Sequence, residues 1–338
     1  MKAVAYHQSL PIDNPQALQD VQLDAPTAGP RDLLVEVRAI SVNPVDTKIR
    51  RNVAPDAGQA KVLGWDAAGV VKAVGSDVTL FKVGDEVSYA GAINRAGANS
   101  ELHAVDERIV GRKPRSLPFA EAAAMPLTAI TAWELLFDRL QVADGTADQG
   151  QSLLVVGAAG GVGSMLVQLA RQLTGLTVIG TASRPETKAW VRELGAHHVI
   201  DHSLPLSEEL ARLGVPQVTY VASLTQTDQH YDQLVEALAP QGRLALIDDP
   251  LQPLDVMKLK RKSISLHWEL MFTRSLFETP DMLEQHRLLN RVADLVDAGT
   301  LKTTLGEHFG TINADNLRRA HALLESGTAK GKIVLEGF

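Results

Sequence analysis

Apolar and polar positions alternate with a period of two through 33–40, 70–74 and 86–89, and turn formers such as Gly-Ser-Asp and Val-Gly-Asp separate these runs. Such alternation predicts short strands with one buried face, so the first third of the chain reads as a mostly β unit. Residues 1–6, Met-Lys-Ala-Val-Ala-Tyr, predict a further strand that ends before Pro11 and Asp13. From about residue 120 the texture changes. Helical spacing then alternates with continuous apolar runs, the pattern of βαβ units whose parallel strands are hidden on both faces. Strands are predicted at 176–181, 199–201, 218–224, 243–247 and 264–268, and helices at 185–194, 231–238 and 281–297. A last strand at 332–335 has no helix after it and is expected to return to the first unit. The whole pattern predicts an α/β chain in which a doubly wound parallel sheet follows a smaller β domain.

One junction carries candidate chemistry. At 153–163, Leu-Leu-Val-Val-Gly-Ala-Ala-Gly-Gly-Val-Gly, an apolar run stops at glycines and resumes with helical spacing through Met165, Leu166, Leu169 and Ala170. A strand, a tight turn and a helix follow from this. The amides of Ala159, Gly160, Gly161 and Val162 and the positive helix end can then approach a pyrophosphate, while Gly160 and Gly163 leave room for ligand and for helix packing. Ala158 replaces the first glycine of G-x-G-x-x-G, and a plain strand-to-helix turn stays open as the alternative. No Gly-Lys-Ser/Thr follows, which argues against a nucleoside triphosphate loop.

About 20 positions further on, where an acid would bind the ribose hydroxyls of NAD, stands Ser183, followed by Arg184 and Lys188. A hydroxyl and two cations suit the 2′-phosphate of NADP(H). Ser-Arg-Pro-Glu at 183–186 also reads as a capping box with proline in the first helical turn, a reading that needs no ligand.

The 338 residues and 45% hydrophobic content favour two domains. A net charge of −7 argues against a nucleic-acid or anionic-membrane partner. With no cysteine the chain has no disulfide, thiolate metal site or thiol nucleophile, and with no basic, apolar leader it is expected in the cytoplasm. The uncharged stretch 149–170 has the length of a membrane span, but its glycines and glutamines favour a buried strand and its covering helix.

The chain resembles the medium-chain dehydrogenase/reductase superfamily, and within it the zinc-independent quinone oxidoreductase branch. The resemblance rests on Ser-Val-Asn-Pro-Val-Asp at 41–46, Gly-Trp-Asp-Ala-Ala-Gly-Val-Val at 64–71, Val-Gly-Asp-Glu-Val at 83–87, Pro-Leu-Thr-Ala at 126–129, Thr-Gln-Thr-Asp-Gln-His at 225–230 and Gly-Lys-Ile-Val at 331–334. It implies a GroES-like, mostly β catalytic domain at 1–124, an NADPH-binding Rossmann domain at 125–274, and a segment at 275–338 that returns to the first domain. Zinc-using members carry cysteine at Asn43 and a His-Glu pair at Trp65 and Asp66. An amide and an indole do not replace thiolate and imidazole, so no zinc is expected.

The resemblance also implies site roles. Asn43 would donate its amide to a developing oxyanion, or else serve only as a turn residue before Pro44. Tyr89 would line the pocket or donate a proton, with plain core packing as the alternative. Asp46 and Trp65 would shape the substrate pocket. Thr128 would meet the cofactor or cap a helix. Leu224, Thr225 and Ile247 lie at carboxyl ends of sheet strands, where open α/β sheets bind ligands. Phe272 and Lys332 are further cofactor contacts, Lys332 alternatively an exposed edge-strand lysine. The implied activity is NADPH-dependent, metal-free hydride transfer to quinones or α,β-unsaturated carbonyl compounds. The alternatives are an enoyl-thioester reductase and a non-catalytic NADPH sensor. A homodimer through an edge strand at 263–268 is expected, unless the chain's own loops cover that edge.

Overall fold

The computed structural model describes residues 1–338, which divide into two units: Met1–Ile130 with Phe272–Phe338, and Thr131–Met271. The first unit opens with β1 (Lys2–Tyr6), β2 (Gln19–Gln22), β3 (Asp32–Val42), α1 (Pro44–Asn52), β4 (Lys61–Val62), β5 (Ala67–Val74), β6 (Glu86–Tyr89), β7 (Leu102–Asp106), β8 (Val110–Arg112), α2 (Phe119–Ala123) and the start of α3 (Pro126–Trp133). The second holds β9 (Ser152–Val156), α4 (Gly161–Leu173), β10 (Thr177–Thr181), α5 (Pro185–Glu193), β11 (His198–Ile200), α6 (Leu206–Arg212), β12 (Val218–Ser223), α7 (Thr227–Ala237), β13 (Leu238–Leu246), α8 (Met257–Lys260) and β14 (Ser265–Trp268). The chain returns to the first unit with α9 (Thr273–Leu276), α10 (Glu284–Asp297), β15 (Leu305–His308), α11 (Ala314–Glu325) and β16 (Lys332–Glu336).

In the first unit β3 shows why alternation makes a strand. Leu33, Val35 and Val37 are buried while Arg38 is exposed, and each fully buried aliphatic side chain stabilises the fold by about 1.5–3 kcal/mol. From Ala39 onward both faces of the strand are covered. Ala39, Ala68 and Val334 pack there with Ala120, Ala122, Ala123 and Ala124, small residues that let α2 lie close on the sheet. This packing keeps α2 with the β unit, and the division between the two units falls at 130/131, within α3. As expected, β16 returns, pairing antiparallel with β3 from Ile333↔Val42 to Glu336↔Ala39.

The second unit is a six-stranded parallel sheet in the order β11-β10-β9-β12-β13-β14. Every residue of β9 is buried, which accounts for its unbroken apolar run. The sheet grows outward in both directions from β9 and β12, so the strand order reverses between them, and all carboxyl ends lie along one edge. The stretch 149–170 is β9 and α4, and no helix is long and apolar enough to cross a membrane. β14 ends the sheet, with Ser265 and Trp268 exposed.

Candidate active site

Four side chains meet in a sealed polar cluster within the first unit. Asn43, Asp46, Asp66 and Lys332 are 1%, 0%, 0% and 3% exposed. Pro44 fills the first helical position of α1 and makes Asn43 its N-cap. The Asn43 amide N–H donates to Asp46 Oδ2 at 2.6 Å, and Gly64 N–H donates to Asp46 Oδ1 at 3.1 Å. Asp46 thus ties the start of α1 to the turn that carries Trp65 and Asp66.

Asp66 accepts from Asn43 Nδ2 at 2.8 Å, Lys332 Nζ at 2.9 Å and Leu127 N at 2.8 Å. Lys332 Nζ also donates to Val42 O at 2.9 Å and to Asn43 Oδ1. These partners fix the Asn43 amide without ambiguity, because an ammonium can only donate to its oxygen and a carboxylate can only accept from its nitrogen. The second Nδ2 hydrogen has only the Ser41 carbonyl at 3.4 Å, the outer limit of a hydrogen bond. Burial pushes Asp46 up to about 7 and raises Asp66, while Lys332 opposes both shifts.

Trp65 is buried beside this cluster, donates Nε1–H to Ala92 O at 3.1 Å, and meets Phe272 edge-on at 6.2 Å between ring centres. Tyr89 pairs with Ala67 across β5 and β6 and is fully buried. His103 Nε2 lies 2.9 Å from the Ala96 carbonyl and must carry the proton there, so Tyr89 donates its hydroxyl to Nδ1 at 3.0 Å. Burial raises the phenol above its ordinary range and lowers His103 to about 4. Proton donation by Tyr89 to a substrate would have to break this bond.

Several sequence expectations change here. Lys332 is not an exposed edge lysine, because β16 lies between β15 and β3 and its ammonium is paired inside. Thr128 does not cap α3: its hydroxyl donates to Met125 O at 3.0 Å, and Asp66 takes the helix amide instead. The capping box at 183–186 does not form, since Pro185 takes the first helical position and the cap falls on Arg184, leaving Ser183 outside the helix.

At the carboxyl edge of the parallel sheet, the second unit gathers Ala159, Gly160, Gly161, Val162, Ser183, Arg184, Lys188, Leu224, Thr225 and Ile247. Gly157 has φ +80°, and a Cβ on Gly163 would stand 2.3 Å from Gly157 O, so only glycine allows α4 to start this close to the strand end. A Cβ on Gly160 would meet nothing nearer than 3.5 Å. The first amides of α4 have no carbonyl a turn behind them and face this open side. Lys188 Nζ pairs with Asp201 at 2.8 Å and Arg184 Nε with Glu186 at 3.3 Å. Lys188 and Ser203 hold Asp201 down at about 2.

An open glycine turn with cations at the next strand end fits a phosphorylated dinucleotide. Zinc does not fit the first unit's cluster: Lys332 takes up the Asn43 oxygen and Asp66, backbone N–H groups take up Asp46, and no three His, Asp or Glu side chains converge on a common point. Asp66, Asp201 and His103 are the contributors that sequence reasoning left out of the site. Only Asp66 carried a local signal, its place beside Trp65.

Family models agree with this architecture. The alcohol dehydrogenase GroES-like domain matches residues 29–126 and the zinc-binding dehydrogenase model residues 194–335. A zinc-type alcohol dehydrogenase-like protein of Staphylococcus aureus (strain MSSA476) is 38% identical over 336 residues, 99% of each chain. A quinone oxidoreductase of Pseudomonas aeruginosa is 32% identical over 95% of this chain and 96% of its own. Among solved structures, a Rhizobium etli CFN 42 protein provisionally named a zinc-dependent alcohol dehydrogenase is 59% identical, with a TM-score of 0.97 over 100% of this chain and 98% of its own. Escherichia coli quinone oxidoreductase complexed with NADPH is 26% identical, with a TM-score of 0.84 over 99% and 100%. The chain belongs to the medium-chain dehydrogenase/reductase superfamily, in its quinone oxidoreductase branch.

Proposed function

We propose that this oxidoreductase transfers hydride from NADPH to quinones or α,β-unsaturated carbonyl compounds and does so without zinc. The observation that carries the reading is the fixed Asn43 amide. Lys332 and Asp66 orient it, and its second N–H is held only by a 3.4 Å contact, so it has a donor to offer. Bound NADPH supplies the hydride. As charge collects on the acceptor's carbonyl oxygen, Asn43 donates to it with an amide whose orientation Asp66 and Lys332 have already fixed, and solvent supplies the balancing proton.

The amides of Ala159, Gly161 and Val162 bind the pyrophosphate, Gly160, whose N–H is taken by Gly157 O, leaves it room, and Ser183, Arg184 and Lys188 bind the ribose phosphate. Leu224, Thr225 and Ile247 flank the cofactor at the strand ends. Trp65 and Phe272 keep an apolar wall beside Asn43. Two copies pair through the open edge of β14, where Ser265 and Trp268 are exposed, and light scattering that finds only monomers at micromolar concentration would refute that assembly.

The test is NADPH oxidation by chelator-dialysed protein with quinones, free enones and enoyl thioesters. Saturable turnover with quinones or enones that survives metal removal is expected. Turnover restored only by zinc, or confined to thioesters, would overturn the reading. Tight NADPH binding with no turnover would favour a sensor.

A further inference from the structure

The turn between β12 and α7 has an unusual construction. Residues 224–226 connect the two elements, and Gln226, the N-cap of α7, sits at φ +52°, ψ +37°, a left-handed conformation that a non-glycine residue adopts only when its surroundings hold it there. Gln226 makes no side-chain cap, so its own side chain does not hold the turn.

It is held from the neighbouring strand. Asp248, two residues beyond β13, accepts Thr227 N–H with Oδ2 at 2.9 Å and the Thr227 hydroxyl with Oδ1 at 2.5 Å. Since the Thr227 hydroxyl donates to Asp248, it receives the Ser223 hydroxyl at 2.8 Å. Ser223 and Thr227 are both 0% exposed and stand at the two ends of the turn. The stitching is reciprocal, because Asp228 in the first turn of α7 accepts Leu251 N–H, in the loop that leaves β13, at 3.2 Å. One carboxylate from each segment grips the backbone of the other.

What the grip positions is close at hand. A Cβ on Gly157 would stand 3.0 Å from Thr225 Cγ2 and 3.7 Å from Leu224 Cβ, so the turn lies directly over the residue that opens the glycine turn. Leu224 N–H also bonds Val156 O at 3.2 Å. The stance of Leu224 and Thr225 therefore sets the clearance above the start of the α4 turn.

We infer that Asp248 and Asp228 are positioning residues for the nicotinamide cofactor, holding the Leu224–Thr225 turn at the height over Gly157 that admits it. This rests on the cofactor reading above. Neither carboxylate is asked to touch the cofactor or the substrate. Because the turn overlies a part of the site common to both dinucleotides, releasing it weakens NADPH and NADH alike, whereas loss of a ribose-phosphate contact changes their ratio.

The experiment measures dissociation constants for NADPH and NADH by fluorescence titration, quinone kinetics and amide exchange on full-length D248A, D248N, T227V and D228A. D248A is expected to weaken both cofactors about tenfold, the scale of one or two lost hydrogen bonds. Its KM for cofactor should rise while kcat at saturating cofactor stays within about threefold, the split expected when only ground-state binding is lost. Amides at 224–228 should exchange faster, T227V should follow with a smaller effect, and D248N, which keeps one acceptor oxygen, should recover most of the affinity. If D248A does not fold, T227V and D228A carry the reading. Unchanged affinity for both cofactors in D248A, T227V and D228A overturns the inference, as does a fall in kcat at constant affinity or a shift confined to NADPH. Wild-type protein that binds neither cofactor removes the functional reading itself, and the inference with it.

Discussion

Lys332 Nζ lies 2.9 Å from Asp66 Oδ2 with both side chains sealed from solvent, although 266 residues separate them in the chain. A buried pair is costly to assemble and far costlier to break, because the surviving partner keeps its charge with no counterion. K332M should therefore destabilise the protein by about 3–5 kcal/mol. Adding D66N should recover part of that loss by removing the stranded charge. Urea unfolding measures both, and a K332M midpoint equal to wild type would show that the pair contributes nothing.

Asp46 gives the same cluster a pH dependence. Burial holds its carboxyl at about 7 in the folded protein against 3.8 in the reference state. The folded state therefore keeps a proton that the unfolded chain has released, so this stability is complete below about 4 and is lost as pH rises towards 7. The slope in that window approaches one proton, about 1.4 kcal/mol per pH unit. D46N should flatten the stability profile between these limits. Equal slopes in wild type and D46N would place the ionisation elsewhere.

What could be read from the chain and what could not divides along physical lines. Local patterning reports local structure: β6 was expected at 86–89 and forms at Glu86–Tyr89, and the glycine run at 157–163 does open α4. The return of β16 was legible because a strand without a helix after it needs a partner elsewhere. The pairing of Lys332 with Asp66 and Asn43 was not, since only closure of the sheet between β3 and β16 brings them together. The capping alternative at Ser183 fails for a related reason. Serine three residues before glutamate is a sound capping signal, yet Pro185 fixes the first helical position and moves the cap to Arg184. Helices α6 and α11 escaped prediction altogether.

Two glycines of the α4 turn should behave differently when given a methyl group. At Gly163 the new Cβ would fall 2.3 Å from Gly157 O and 2.6 Å from Ala158 Cα, backbone atoms that cannot rotate away. G163A should lose at least about 1–3 kcal/mol of stability through overpacking. At Gly160 the nearest atom is 3.5 Å away, an ordinary contact, so G160A should unfold at the wild-type midpoint. If the open side of that turn receives the cofactor, G160A should still weaken NADPH binding. Thermal unfolding beside NADPH titration separates the two effects, and a G160A protein with full affinity would argue that the turn is only structural.

The cations after β10 bear on cofactor choice through opposite effects of Lys188 and Asp201. Lys188 is held 2.8 Å from Asp201, so an arriving phosphate meets a cation and, immediately behind it, a carboxylate that stays ionised across the ordinary pH range. K188A removes attraction and should weaken NADPH by about five- to tenfold while leaving NADH nearly unchanged, a charge-assisted contact being the one interaction lost. D201N removes repulsion and frees Lys188, so it should tighten NADPH by a few fold, again with little effect on NADH. Both shifts should shrink as salt rises, because these side chains are only partly buried and their charges are screened. The ratio of NADPH to NADH dissociation constants must then move in opposite directions for the two variants. If both variants weaken NADPH, Asp201 acts by orienting Lys188 and not by competing for it. If neither changes the ratio, the 2′-phosphate is bound elsewhere and the basic residues following Ser183 are ordinary solvated charges.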